Sequence, residues 1–273
     1  MDLIDTSSKP AEDNSVLANL ETALSEVEGQ ARLTSDVFTK LLGVVKSFLR
    51  SSGVGDLRAM RKLMLALPEQ LGQAKQAAEA LCSRWEYSEA EEERYFSSGD
   101  YTRELLGAAR AAGLSLSEQE GFLTCYPSVL KLQPRERGIL IDRKLSREVR
   151  PSKLVARLLE NQKRNSNFKA GPFLESLYST YKLLCHGQSG GELRKLLDIY
   201  DAWTVRPGQK REYPVQEFTR DIYQLDASGV TETSGGQKFR LHAGATGSKN
   251  RSNLLVIANR EGVECTYYGI EFL

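Results

Sequence analysis

The chain has little of what active sites are usually built from. Two histidines, His186 and His242, and four cysteines, Cys82, Cys125, Cys185 and Cys265, are scattered over 273 residues. No cysteine falls in a CxxC or Cys/His grouping with metal-ligand spacing, which excludes a zinc knot assembled from sequence neighbours. Thiols so dispersed read as reduced and mostly buried. P-loop, GxGxxG and HExxH patterns are missing, and no Asp…Glu-x-Lys set offers the carboxylates of a metal nuclease. No run approaches eighteen uninterrupted apolar residues, and the opening MDLIDTSSKPAEDN lacks the basic and apolar regions of a leader. These absences predict a cytoplasmic protein with no membrane partner, no cofactor, no metal and no enzymatic activity. The adjacent Cys185 and His186 offer a nucleophile and a base, but neighbours in sequence rarely have the geometry to act together.

Helical rhythm is abundant. Leu17, Leu20, Leu24, Val27, Ala31, Thr34, Phe38, Leu41, Val45 and Phe48 alternate steps of three and four. After Ser51-Ser52-Gly53-Val54-Gly55-Asp56 the same steps recur at Leu57, Met60, Met64, Leu67, Leu71, Ala74, Ala78, Leu81 and Trp85. Two long helices with a short turn predict an antiparallel hairpin, zipped within one chain or across a dimer, with Thr34 tuning register in either case. Pro68 predicts a kink or a restart of the second helix. Beyond Trp85, Glu89 to Glu93 reads as a solvated acidic end.

The formal net charge of +1 conceals segregation. Residues 1–28 hold seven acids against Lys9, and residues 86–104 hold seven against Arg94 and Arg103. Residues 131–170 reverse this, with twelve bases against Glu136, Asp142, Glu148 and Glu160. That density predicts phosphate contact. Arg143, Lys144, Arg147, Arg150, Lys153 and Arg157 are the first candidates, with Lys163 and Arg164 beside them and Asn161, Gln162, Asn165 and Asn167 as polar neighbours. An acidic protein partner or a plain solvated face is the competing reading.

The remaining elements follow from caps and apolar spacing. A helix from Asp100 to about Ala112 stops at Gly113. Ser117 and Glu120 match a capping box and predict a helix to about Tyr126. The basic stretch opens in a loop around Gln133-Pro134-Arg135, passes through Gly138-Ile139-Leu140-Ile141, and enters a helix near Pro151 whose Leu154, Val155, Leu158 and Leu159 face inward. Further helices are expected from Gly171-Pro172 to Cys185-His186-Gly187, from Glu192 to Trp203, and from Pro214 to Gly229. Strands are expected at Lys238 to His242, Leu254 to Ala258 and Val263 to Phe272.

The resulting plan is mainly α: a flexible acidic tail (1–14), a helical hairpin or coiled coil (15–97), a basic helical domain (98–204) and a small α+β unit (205–273). The order of three helices, then strands and a polar loop, with Leu225-Asp226-Ala227-Ser228-Gly229-Val230 as exit from the third helix, resembles a winged helix-turn-helix domain. That resemblance implies a wing at residues 244–251, carrying Lys249 and Arg251 as further contacts. Its third helix, with Glu217, Asp221 and Asp226 beside Arg220, is too acidic to read a major groove well, so docking of a protein stands beside DNA contact. The function expected is a non-enzymatic, DNA-associated assembly or adaptor component from a prokaryote. The alternative is an accessory subunit of an SMC-like or phage-defence complex, since a helical hairpin followed by a winged-helix-like unit is similar to the plan of kleisin-type partners. Protein partners or a homodimer would then engage the N-terminal helices.

Overall fold

A computed structural model describes residues 19–164, 167–187, 190–244 and 253–273. The acidic tail expected at 1–14, seam position Leu17, and most of the wing expected at 244–251 lie outside the described residues. The chain is mainly α-helical and divides between Glu104 and Leu105 into two compact units. No helix among the described residues is long and apolar enough to cross a membrane.

In the first unit, α1 (Leu20–Val54) and α2 (Leu57–Cys82) form an antiparallel hairpin within one chain. Each start is capped by a side chain: Asn19 accepts from the Thr22 N–H and Asp56 from the Ala59 N–H. Register is pinned by Thr34. Its buried hydroxyl is shared between the Gln30 carbonyl of its own helix (2.9 Å) and the Ala77 carbonyl of α2 (3.1 Å). Ala74, small and buried, lets the helices approach. Helix α2 runs through Pro68 with no restart. Pro68 is exposed, so the carbonyl it leaves unpaired can turn to water.

The acidic end expected at Glu89 to Glu93 is instead a helix, α3 (Glu89–Ser97), because Ser88 and Glu91 complete a capping box and Tyr95 and Phe96 supply buried anchors. Helix α4 (Asp100–Ala111) follows. Its Glu104 reaches back to the start of α1, where one oxygen accepts from the Leu20 N–H (2.9 Å) and the other from the Glu21 N–H (2.8 Å). The Tyr95 hydroxyl donates to the same carboxylate. A carboxylate here satisfies two otherwise open donors and complements the positive end of the helix dipole. Burial, reinforced by the hydrogen bond to Glu104, pushes the Tyr95 phenol well above its usual range.

The second unit opens with a correction. Ser117 to Tyr126 is not a helix but the first hairpin of a five-stranded antiparallel meander, β1 (Ser117–Gln119), β2 (Phe122–Cys125), β3 (Ser128–Gln133), β4 (Gly138–Ile141) and β5 (Lys144–Ser146), ordered as in sequence. Sheet thus stands in a stretch expected to be helical. Glu120 and Gly121 both take left-handed backbone angles (φ 52° and 76°), the requirement of a two-residue hairpin turn that Gly121 makes accessible. Phe122 to Cys125 then alternates partly and fully buried positions. Gly138 to Ile141, expected only as passage from a loop into a helix, is likewise strand. It turns into β5 at Asp142-Arg143, again with two positive φ values (48° and 67°).

Helices α5 (Pro151–Lys163) and α6 (Ala170–Leu184) bury the apolar faces read from sequence. Arg194–Lys195 pairs as a short strand, β6, so α7 (Leu196–Trp203) begins later than Glu192. After α8 (Gln209–Glu212), α9 (Val215–Ala227) packs into the core formed with α6, α7 and the C-terminal strands. Strands β7 (Phe239–His242), β8 (Leu255–Ala258), β9 (Glu264–Tyr267) and β10 (Gly269–Phe272) complete two further sheets, β6-β10-β7 and β8-β9. A Cβ on Gly269 would lie 2.7 Å from the Arg194 carbonyl oxygen, so a side chain there would push β10 away from β6.

Replacing Glu104 with Ala leaves two helix-terminal donors and a phenol without their acceptor, a loss of about 1.5–3 kcal/mol of local stability. Amide exchange at Leu20 and Glu21 is expected to accelerate by about ten- to a hundredfold, while amides near Thr34 change little. Unaltered exchange at those two positions would show that Glu104 does not cap α1.

Candidate nucleic-acid interface

The basic stretch folds around an open cleft of about 510 Å³ in the second unit. Pro127, Ser128 and Ile141 of the meander form one wall; α5 and the segment after it contribute Arg157, Asn161, Arg164, Asn167 and Phe168; α9 contributes Arg220, Asp221 and Gln224. Lys144 enters from the start of β5, close to Asp142 of the turn.

Three expected phosphate contacts converge there: Lys144, Arg157 and Arg164. Arg157 is steadied by donating to Ser146 Oγ (3.0 Å) and by facing Glu148 (3.5 Å), an exposed pairing that a phosphate can displace. Arg143 is placed differently. Its guanidinium grips Glu217 of α9 at both oxygens, with Nε to Oε1 at 3.1 Å and Nη2 to Oε2 at 2.6 Å. Arg147, Arg150, Lys153 and Lys163 do not line the cleft: Arg147 lies between β5 and α5, Arg150 occupies the N-cap of α5, and Lys153 and Lys163 sit toward the two ends of that helix. Lys249, Arg251 and Asn165 lie outside the described residues.

Sequence alone does not single out Arg220, because acids surround it in the chain. In the fold those acids hold it. Asp142 (3.1 Å), Asp221 (3.0 Å) and Glu217 (3.9 Å) ring its guanidinium. Burial alone would draw the Arg220 pKa down, but the three carboxylates outweigh it and keep the group charged. Asp221 also accepts from the Tyr213 hydroxyl (2.7 Å) and Asp226 from the Tyr267 hydroxyl (2.8 Å), so the acids of α9 serve the interior. Phe168, edge-on to Phe173 at 5.2 Å between ring centres, has no sequence signal beyond its place among polar residues.

The cleft thus combines exposed cations with the amides of Asn161, Asn167 and Gln224, which suits a sugar-phosphate backbone. Among the described residues no group of three or more His, Cys, Asp or Glu side chains is placed to hold a metal. Cys185 is buried, with Arg194 Nε donating to its sulfur at 3.3 Å, whereas His186 is exposed on a left-handed turn. Burial pushes the Cys125 thiol up to about 12, so it is no thiolate at neutral pH. Gly187 to Gly191 satisfies a G-x-S-x-G pattern, but it follows helix α6 and precedes strand β6, the reverse of a nucleophile elbow, and its Ser189 lies outside the described residues.

Glu217 is the buried acid beside this site. Burial raises its pKa, and the Arg143 and Arg220 charges pull the other way without cancelling it. The folded state therefore keeps this proton to higher pH than the unfolded chain. The stability it contributes is full below the ordinary carboxylate range and falls as pH climbs through the raised value. Replacing Arg143 with Ala strands the carboxylate, at a cost of about 2 kcal/mol at neutral pH, reduced from the fully enclosed case because the Arg143 side chain is 61% exposed. Urea unfolding should show that loss shrinking in acid, and Arg143→Ala combined with Glu217→Gln should recover most of it. A double variant no more stable than Arg143→Ala would contradict the coupling. Comparison with protein-family models, with curated proteins and with solved structures finds no match for this chain.

Proposed function

We propose that the protein is a nucleic-acid-associated component, binding DNA through the cleft of the second unit and acting as an assembly or adaptor element. The observation that carries this reading is the meeting of Lys144, Arg157 and Arg164 with three side-chain amides and Phe168 on one open surface. Cations reaching that surface from β5, from α5 and from the segment after it can follow successive phosphates. The order of helices α6, α7 and α9 followed by strands is what favours a winged-helix-like reading of the C-terminal region. With the acids of α9 bonded inside, contact in that reading runs through α5 and the cleft.

Fluorescence anisotropy with labelled DNA, single-stranded and duplex, tests the reading. Binding should weaken steeply with salt, and changing Lys144, Arg157 and Arg164 together to Ala should flatten the log–log salt slope by about 2–3. Lys153→Ala, away from the cleft, should change it by less than about 1. Absence of binding at low salt, or an unchanged slope in the triple variant, rejects the cleft as a nucleic-acid surface.

A further inference from the structure

Gln224 of α9 lines the cleft with only 8% of its surface exposed, yet its amide has no hydrogen-bond partner among the described residues. Buried amides are bonded in the great majority of cases, and one left open at a cavity wall is placed for a ligand. It stands one helical turn from Arg220 and Asp221, so that the three side chains share one face of α9. On the meander wall, the buried Ser128 accepts from Asn161 Nδ2 at its Oγ (3.2 Å), which leaves its hydroxyl proton to donate. Lys144, Arg164 and Asn167 are exposed and have no side-chain partner among the described residues.

The walls of the cleft are tied to one another. Arg157 joins α5 to Ser146 of β5 (3.0 Å), Asn161 joins it to Ser128 of β3, and Arg220 joins α9 to Asp142 of the β4–β5 turn (3.1 Å). The space they bound, about 510 Å³, lies in the lower half of the range of about 300–1,000 Å³ that small-molecule sites occupy. A cube of that volume is about 8 Å on edge, whereas the major groove of a duplex alone is about 12 Å wide. The cleft therefore has room for a phosphate and its sugar but not for the body of a duplex.

Charge narrows the ligand further. Asp142 and Asp221 are engaged by Arg220 at 3.1 and 3.0 Å, so they are not free to neutralise the exposed cations. Lys144 and Arg164 remain as two open positive charges, and Arg157 is shared with Glu148 at 3.5 Å. A phosphate monoester carries about −1.5 to −2 charges at neutral pH and three strong acceptor oxygens. An internal phosphodiester brings a single negative charge and one acceptor oxygen fewer. Two open cations, with further donors at Gln224, Ser128 and Asn167, match the monoester.

We propose that the cleft seats the terminal phosphate of a nucleic-acid strand, held by Lys144, Arg164 and Gln224, with the strand leading out through the open side. This inference rests on the nucleic-acid reading and narrows it from backbone in general to a strand end.

The test is fluorescence anisotropy with single-stranded oligonucleotides that differ only in a terminal phosphate or hydroxyl, tried at each end in turn with the label at the other. The phosphorylated strand should bind about ten- to a hundredfold more tightly. In Lys144→Ala with Arg164→Ala that ratio should fall to about one. A general electrostatic role would weaken both strands alike and leave the ratio unchanged. Gln224→Leu, similar in volume, should cut the ratio by about fivefold with the thermal unfolding midpoint retained. Equal affinity for the two strands, with the salt slope still flattened by the triple change, would overturn the strand-end inference and leave the cleft as a backbone surface. A ratio that survives the double change, or equal competition by a free nucleoside monophosphate, would overturn it as well. Binding of neither strand would remove the cleft reading and this inference together.

Discussion

A carboxylate placed inside a protein must find a cation or give up its charge, and Glu217 meets that demand in a way that organises the second unit. Arg143, at the tip of the β4–β5 turn, clamps Glu217 from one side, and Arg220 approaches from the next turn of α9. Asp142 closes the set by accepting from Arg220 and from the Val129 N–H, both at 3.1 Å. One two-residue turn is therefore bonded at once to its own sheet and to α9. Lys144 is the next residue in the chain, and its position at the cleft follows from where that turn is held. Glu217, Asp142 and Asp221 are engaged by Arg143 and Arg220, which leaves Lys144 and Arg164 facing solvent.

Much of the helical framework is legible in the sequence because a helix announces itself over many residues. The line from Leu20 through Thr34 to Phe48, and the faces of α5, α6 and α9, repeat often enough for packing to be read from spacing. The meander is not legible. Its β1 and β3 are only three and six residues long, and Ser117-x-x-Glu120 satisfies the pattern of a helix start. What decides the matter is the left-handed backbone at Glu120 and Gly121, which local composition announces only weakly. The turn at Asp142-Arg143 has no glycine at all. For the site, the density of cations between 131 and 170 is visible, but their division is not. Arg143 is drawn off by an acid 74 residues away, and Arg220 hides among the acids that fix it.

The near-neutral total charge says little about such a molecule. Acidic and basic residues are sorted along the hairpin, and sorted again around the cleft, where Asp142, Asp221 and Glu217 are bonded within the fold to Arg143 and Arg220 while Lys144 and Arg164 face water. Apolar residues are sorted too: α1 and α2 each carry one stripe toward the other and a second that their partner cannot reach. Two-helix hairpins have this geometry in general, since a single line of contact cannot cover a wide apolar arc.

Strand β10 lies between β6 and β7, yet it comes last of the three in the chain. Strand β6, at Arg194–Lys195, has no hydrogen-bonded neighbour in that sheet until residues 269–272 arrive more than seventy positions later. During synthesis the hairpin of α1 and α2 can close as soon as it leaves the ribosome, because its contacts span a short turn. The core around Tyr181 and Phe218 must wait for Ile270 and Phe272. The two units thus mature on different clocks: one once the chain is free as far as Glu104, the other only once Ile270 and Phe272 are free as well.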